Sequence, residues 1–180
     1  MKIKTVLFAM LAAVLMISAC STVDELNEVS FDANFKADLN CVVPPGSFKS
    51  GINGAFSASE TINPLADSTV EKYIDHIKSW NVVGITAEIV SVSKPGANLT
   101  NAEIKVFSDN HNALWNIPGM PLAIGQKVTL GNENGQWDEV NAILGEKKVF
   151  TVAINGATDE DDISFTVRIT LKTKVTASVI

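Results

Sequence analysis

The chain has 180 residues, 46% hydrophobic and 19% charged, with 14 Lys+Arg against 20 Asp+Glu and a formal charge of −6. That length and apolar content support one packed domain and exclude global disorder. The acid excess argues against a phosphate-neutralising basic stripe, and so against nucleic acid as a partner; two cysteines exclude a disulfide scaffold or a four-cysteine zinc site.

The chain opens on the basic stretch Met1-Lys2-Ile3-Lys4, followed by twelve apolar residues from Val6 to Ile17 and then Ser18, Ala19 and Cys20. A basic start, a short apolar run and small residues form a secretory signal peptide. The run is shorter than the roughly 20 residues a spanning helix needs, and it lacks the polar face of a surface helix. Ile17-Ser18-Ala19-Cys20 resembles the lipobox of bacterial lipoproteins: an aliphatic residue, two small residues and the cysteine that is lipidated. Ile17 stands where that family usually has Leu. The resemblance implies cleavage before Cys20, a diacylglycerol thioether on its sulfur and an acylated amino terminus. It implies the membrane as a partner through the anchor at Cys20.

Removing residues 1–19 takes away two lysines and no acid, leaving 161 residues (180 − 19) with a formal charge of −8 (−6 − 2). Cys41 is then the remaining thiol. Residues 20–28 read as a polar, acidic tether, and 29–180 as a single domain. In enterobacterial lipoproteins Asp directly after the lipidated cysteine retains the protein on the inner membrane. Ser21 stands there, which resembles an outer-membrane address. Asp24-Glu25 partly resembles the acidic surface-export tether of Bacteroidota lipoproteins. The expected location is the cell envelope, anchored in the outer membrane.

From Val29 to Val43 the odd positions are apolar (Val29, Phe31, Ala33, Phe35, Ala37, Leu39, Cys41 and Val43) and the even positions through Asn40 are polar. Period-two alternation of this length predicts a strand with one buried and one wet face, and it puts Cys41 in the core. Pro44-Pro45-Gly46 ends it. A second strand is predicted at Ile52–Ser59. Ser68-Thr69-Val70-Glu71 reads as a capping box, with Val70, Tyr73, Ile74 and Ile77 at helical spacing, predicting a helix over 69–79. Trp80–Val92 and Ala102–Phe107 read as strands. Two shorter strands are predicted at 113–117 and 122–130, around the break Pro118-Gly119-Met120-Pro121. Gln136–Leu144 reads as a helix ended by Gly145. Val149–Ile154 reads as a strand, Asn155–Asp162 as a polar turn, and Ile163 to the end as a second long alternating run with a bend or bulge near Lys172-Thr173-Lys174. The body resembles small Bacteroidota outer-membrane β-sandwich lipoproteins. The whole predicts a mainly β fold: an antiparallel, Ig-like β-sandwich of about seven to nine strands with two short helices.

Chemistry is sparse in this sequence. His76 and His111 have no second metal ligand at local spacing, and there is no G-x-S-x-G elbow, phosphate-binding glycine loop or H-E-x-x-H. No cofactor is implied. Asp159, Asp161 and Asp162 are a weak candidate calcium site; their spacing does not match an EF-hand loop, so the run reads as a solvated hairpin tip. Among the three tryptophans, Trp115 lies in a loop-rich stretch beside Asn112 and Asn116 and is the candidate exposed aromatic for a glycan or protein ligand. The reading is a non-enzymatic binding or structural module at the outer membrane. Two alternatives are a fimbria-like subunit assembling by strand exchange and a small hydrolase with a scattered active site. Fimbrial subunits of that sort are cleaved after an arginine beyond the anchor, whereas the one arginine here is Arg168.

Overall fold

The computed structural model describes residues 27–46 and 54–179. The expected signal peptide, Cys20 and nearly all of the tether lie outside the described residues.

Among the described residues, eight strands form the domain: β1 (Glu28–Val43), β2 (Gly54–Ile62), β3 (Ile77–Val92), β4 (Asn98–Phe107), β5 (Asn112–Pro121), β6 (Lys127–Thr129), β7 (Phe150–Thr158) and β8 (Ile163–Ser178). Two helices, α1 (Ser68–Tyr73) and α2 (Gln136–Gly145), sit in the β2–β3 and β6–β7 connections. The strands make two four-stranded antiparallel sheets, in the orders β1-β8-β3-β6 and β2-β7-β4-β5. The β-sandwich expected from the sequence is therefore present. Its connectivity, with sequential strands crossing between the sheets, is that of a jelly roll.

Both long alternating runs become the strands they predict. In β1 the odd residues from Ala33 to Val43 are buried and the even ones exposed. In β8 the odd residues from Ile163 to Ala177 are buried. These two strands pair in unbroken register from Glu28↔Ser178 to Val43↔Ile163, so β8 has no bulge against β1 near Lys172–Lys174. The irregularities lie instead in β3, which slips by one residue against β8 between Ile77 and Ser79, Val82 and Gly84, and Ile89 and Ser91. Bulges of this kind let one strand of a long pair absorb the twist. At the second, the side-chain oxygen of Asn141 on α2 accepts a hydrogen bond from the Val82 N–H at 2.9 Å. On the wet face, Asp38 receives two hydrogen bonds from the Arg168 guanidinium, both 2.7 Å, across the β1–β8 pair. Arg168 thus belongs to an interior strand of its sheet.

Several boundaries differ from expectation: the predicted strand at Ile52–Ser59 begins outside the described residues and runs on to Ile62, and β3 and β4 begin earlier than predicted, at Ile77 and Asn98. The first helix is capped by Asp67, whose carboxylate accepts from the Thr69 and Val70 N–H groups at 2.8 and 3.1 Å. It ends at Tyr73, and after a single 3₁₀ turn at Ile74–His76 the chain enters β3, where Ile77 pairs with Ala177. The predicted strands at 113–117 and 122–130 become one continuous β5 through both prolines, plus the three-residue β6. Proline is tolerated because β5 is a sheet edge, where a missing N–H breaks no ladder. The Asn155–Asp162 turn shrinks to residues 159–162, since β7 runs to Thr158. Asn155-Gly156 looks like a turn dipeptide, yet β7 pairs on both sides, with β2 and with β4. Gly156 serves close approach here: a Cβ would sit 2.4 Å from the Asn101 carbonyl oxygen and 2.8 Å from the Phe56 ring.

The core lies between the sheets and includes Phe35, Phe56, Phe150 and Phe165, with Phe35 edge-on to Phe150 at 6.2 Å. Cys41 is wholly inside it. Burial pushes its thiol up to about 12. Because the thiolate is the reactive form, a thiol reagent at pH 8 should leave native Cys41 unmodified over hours and label it rapidly in denaturant. Rapid labelling of the folded protein would remove Cys41 from the core. Among the described residues, no helix is long and apolar enough to cross a membrane.

Candidate functional site

The strand order leaves β5 and β6 as facing edges of opposite sheets. Between them opens a cleft of about 690 Å³, bordered by β5, by the chain from Val128 to Asn134 and by the start of α2. That volume is within the range of small-ligand sites, roughly 300–1,000 Å³. Helix α2 packs against both β3 and β5 and so closes one end of the sandwich's open side.

The β5 register determines what the cleft sees. The Ser108 N–H donates to the His111 carbonyl at 2.9 Å, closing the β4–β5 hairpin. Ala113, Trp115 and Ile117 therefore direct their backbone groups to β4, where they pair with Val106, Ile104 and Ala102. The backbone N–H and C=O groups of Asn112, Leu114 and Asn116 turn the other way, to the free edge. Pro118 follows the same parity and has no N–H, which ends the row of donors.

Trp115 is not the exposed aromatic expected. It is only 5% exposed, on the buried parity with Ala113 and Ile117, and its indole N–H donates to the Gly131 carbonyl at 2.7 Å. Trp137 makes the equivalent bond to the Leu130 carbonyl at 2.9 Å. These two indoles hold the loop after β6 against the sandwich, so Trp115 forms the cleft's supporting floor and has no face free for stacking. The polar surface comes from residues that no motif links in the sequence: Asn112, Asn116, Asn134, Gln136, Glu133 and Glu139. The side-chain amides of Asn112, Asn116 and Asn134 and the carboxylate of Glu133 make no hydrogen bond to another described residue. Gln136 accepts from the Asn134 N–H at 2.8 Å, and Glu139 lies 3.2 Å from Nδ1 of His111. Among the described residues, no Lys or Arg lines the cleft.

The acidic turn is a different structure from a calcium loop. Asp159 accepts from both the backbone and side-chain N–H groups of Asn98, each at 2.6 Å. Asp161 accepts from the Gly46 N–H at 2.7 Å, and its own carbonyl takes a bond from Lys94. Asp162 sits at φ 50°, with its carboxylate 3.7 Å from Lys94 Nζ. The carboxylates diverge to three separate partners, and among the described residues no group of three His, Cys, Asp or Glu side chains converges as metal ligands would. Asp159 and Asp161 therefore act as ties between the strand ends, which a purely solvated tip would not do. Melting in millimolar calcium and again in chelator should give the same midpoint. A calcium-dependent rise would follow RT ln(1 + [L]/Kd), about 2.7 kcal/mol at a hundred-fold excess over Kd, and would restore the metal reading.

These ties also set a pH dependence. The Arg168 hydrogen bonds hold the Asp38 carboxyl below its usual range, and the Asn98 bonds do the same for Asp159. The folded state then binds fewer protons than the unfolded chain. The stability these groups add is complete above the ordinary carboxyl range and is lost as pH falls from that range through their lowered folded values. The melting temperature should hold between pH 8 and 5 and drop below about pH 4, with Asp38→Asn and Asp159→Asn each flattening the drop. An equally steep drop in both variants would remove these carboxyls as its source.

No family model matches the chain, and no curated protein matches it. Among solved structures it is similar to a chain of Desmodium yellow mottle tymovirus, at 8% identity and a TM-score of 0.40 over 85% of this chain and 90% of that one. A chain of turnip yellow mosaic virus gives 8% identity and 0.40 over 84% and 96%. The decameric BFDV capsid protein gives 10% identity and 0.42 over 82% and 99%.

Proposed function

We propose that this chain is a lipid-anchored outer-membrane protein whose jelly-roll domain acts as a non-enzymatic binding module, with the β5–β6 cleft as its binding site. The observation that carries the anchor is Ile17-Ser18-Ala19-Cys20 directly after the apolar run Val6–Ile17. The tether from Cys20 reaches the domain at Glu28, the start of β1, so the sandwich would hang from one end of an edge strand. The observation that supports binding is the cleft, with its unpartnered amides and firm indole floor. The fimbria-like alternative gains nothing from Arg168, because cleavage there would cut an interior strand in the middle of its pairing with β1. Intact-mass analysis of the native protein tests the anchor. The expected mass is that of residues 20–180 plus a diacylglyceryl group and an amide-linked acyl chain. An unmodified polypeptide mass would refute it.

A further inference from the structure

We infer that the β5–β6 cleft takes an uncharged, hydroxyl-rich ligand: a neutral glycan. This rests on the binding-module reading and names the chemical class of its ligand. Each side-chain amide offers both donors and an acceptor, and each carboxylate offers acceptors, so the set suits hydroxyl groups that both give and take hydrogen bonds. Asn112, Asn116 and Asn134 hold their amides unpartnered around one opening, and Glu133 adds a free carboxylate. The free N–H and C=O groups of Asn112, Leu114 and Asn116 extend the row. Leu114 and Pro118 supply apolar surface for the C–H faces of sugar rings.

Charge disfavours anionic ligands. Among the described residues, the charged groups lining the cleft are Glu133 and Glu139, with no Lys or Arg to receive an anion. The first turn of α2 carries Asp138 and Glu139, which offset the positive end of the helix. An acidic sugar would meet repulsion. An extended peptide adding to β5 is disfavoured for a different reason. Strand addition draws affinity from a ladder of main-chain bonds and specificity from pockets for alternate side chains. Here Pro118 limits the donors to three residues, and the cleft presents amides where such pockets would be.

The test uses the full acylated protein in octaethylene glycol monododecyl ether micelles, which carry no sugar. Calorimetric titration is made with cellohexaose, laminarihexaose, mannohexaose and xylohexaose, and with hexagalacturonate as the charged counterpart. At least one neutral hexasaccharide should bind, and hexagalacturonate at least tenfold more weakly. Asn116→Ala with Gln136→Ala should weaken the neutral sugar about tenfold or more, from the loss of two hydrogen-bonding side chains. Asn34→Ala, on the wet face of β1, should change nothing. Glu133→Lys should narrow the gap between neutral and acidic sugars. Failure of all four neutral sugars, equal binding of hexagalacturonate, or indifference to the double substitution would each overturn the proposal. So would a peptide that binds and slows amide exchange at Leu114 where no sugar binds. The intact mass of the same preparation separates this from the anchor. An acylated protein that ignores the sugars loses only the ligand class, and an unacylated protein that binds them loses only the anchor.

Discussion

Phe165→Ala is expected to destabilise the domain by about 3–5 kcal/mol, against about 0.5–1 kcal/mol for Thr166→Ala next to it. Phe165 is 2% exposed, and its ring stands edge-on to Phe56 at 4.9 Å across the two sheets. Truncation removes the transfer free energy of the ring and that contact, and it leaves a void between sheets that cannot close because β8 is paired on both sides. Thr166 faces outward, where its hydroxyl donates to Asn40 and accepts from Ser91, each at 2.9 Å. Both neighbours can bond water instead, so the loss is small. In a domain of this size the Phe165 change should lower the melting temperature by on the order of 10 °C. Equal denaturant midpoints for the two variants would mean that β8 is out of register by one residue, which reverses every side chain in it.

That contrast is legible in the amino-acid sequence, because a strand's parity is its burial pattern: polar Ser164, Thr166 and Arg168 between apolar Ile163, Phe165, Val167 and Ile169 leave one register. The signals that mislead are local ones overridden by pairing. Asn155-Gly156 marks a turn in isolation, but β2 and β4 on either side keep it extended, and the glycine's role is to admit the Asn101 carbonyl and the Phe56 ring. Pro118 and Pro121 mark a break in isolation, but an edge strand tolerates them. Trp115 stands out through its loop-like neighbours. The alternation Ala113, Trp115, Ile117 already places it on the buried parity, and what fills its hydrogen-bonding need is a carbonyl sixteen residues later. The cleft itself has no sequence signature. It is made by two strand edges from different sheets and the loop into α2, and only the jelly-roll crossing brings Asn112 and Asn116 to face Asn134 and Gln136.

Cys20→Ala should abolish acylation and release the protein from the membrane fraction, or leave it as an uncleaved precursor still carrying residues 1–19. The sulfur of Cys20 is the only point at which the expected diacylglycerol can attach, and Cys41 cannot replace it. Cys41 lies wholly within the core, with its thiol pushed up to about 12. The magnitude is large because each buried CH₂ adds about 0.8 kcal/mol and two chains already suffice for stable anchoring. Three chains would make detachment negligible over the life of a cell, so wild type and a cleaved variant should separate almost completely on fractionation, while an uncleaved variant shows itself by its larger mass. Fold stability decides nothing here, since β1 begins at Glu28, eight residues beyond the anchor, and the variant's domain should melt as the parent does. Labelled palmitate entering Cys20→Ala to the parental level would end the lipobox reading. An unlabelled variant that has lost residues 1–19 and still stays membrane-bound after a carbonate wash would show that something besides acyl chains attaches the domain, with the start of β1 and its neighbours as the first surface to search.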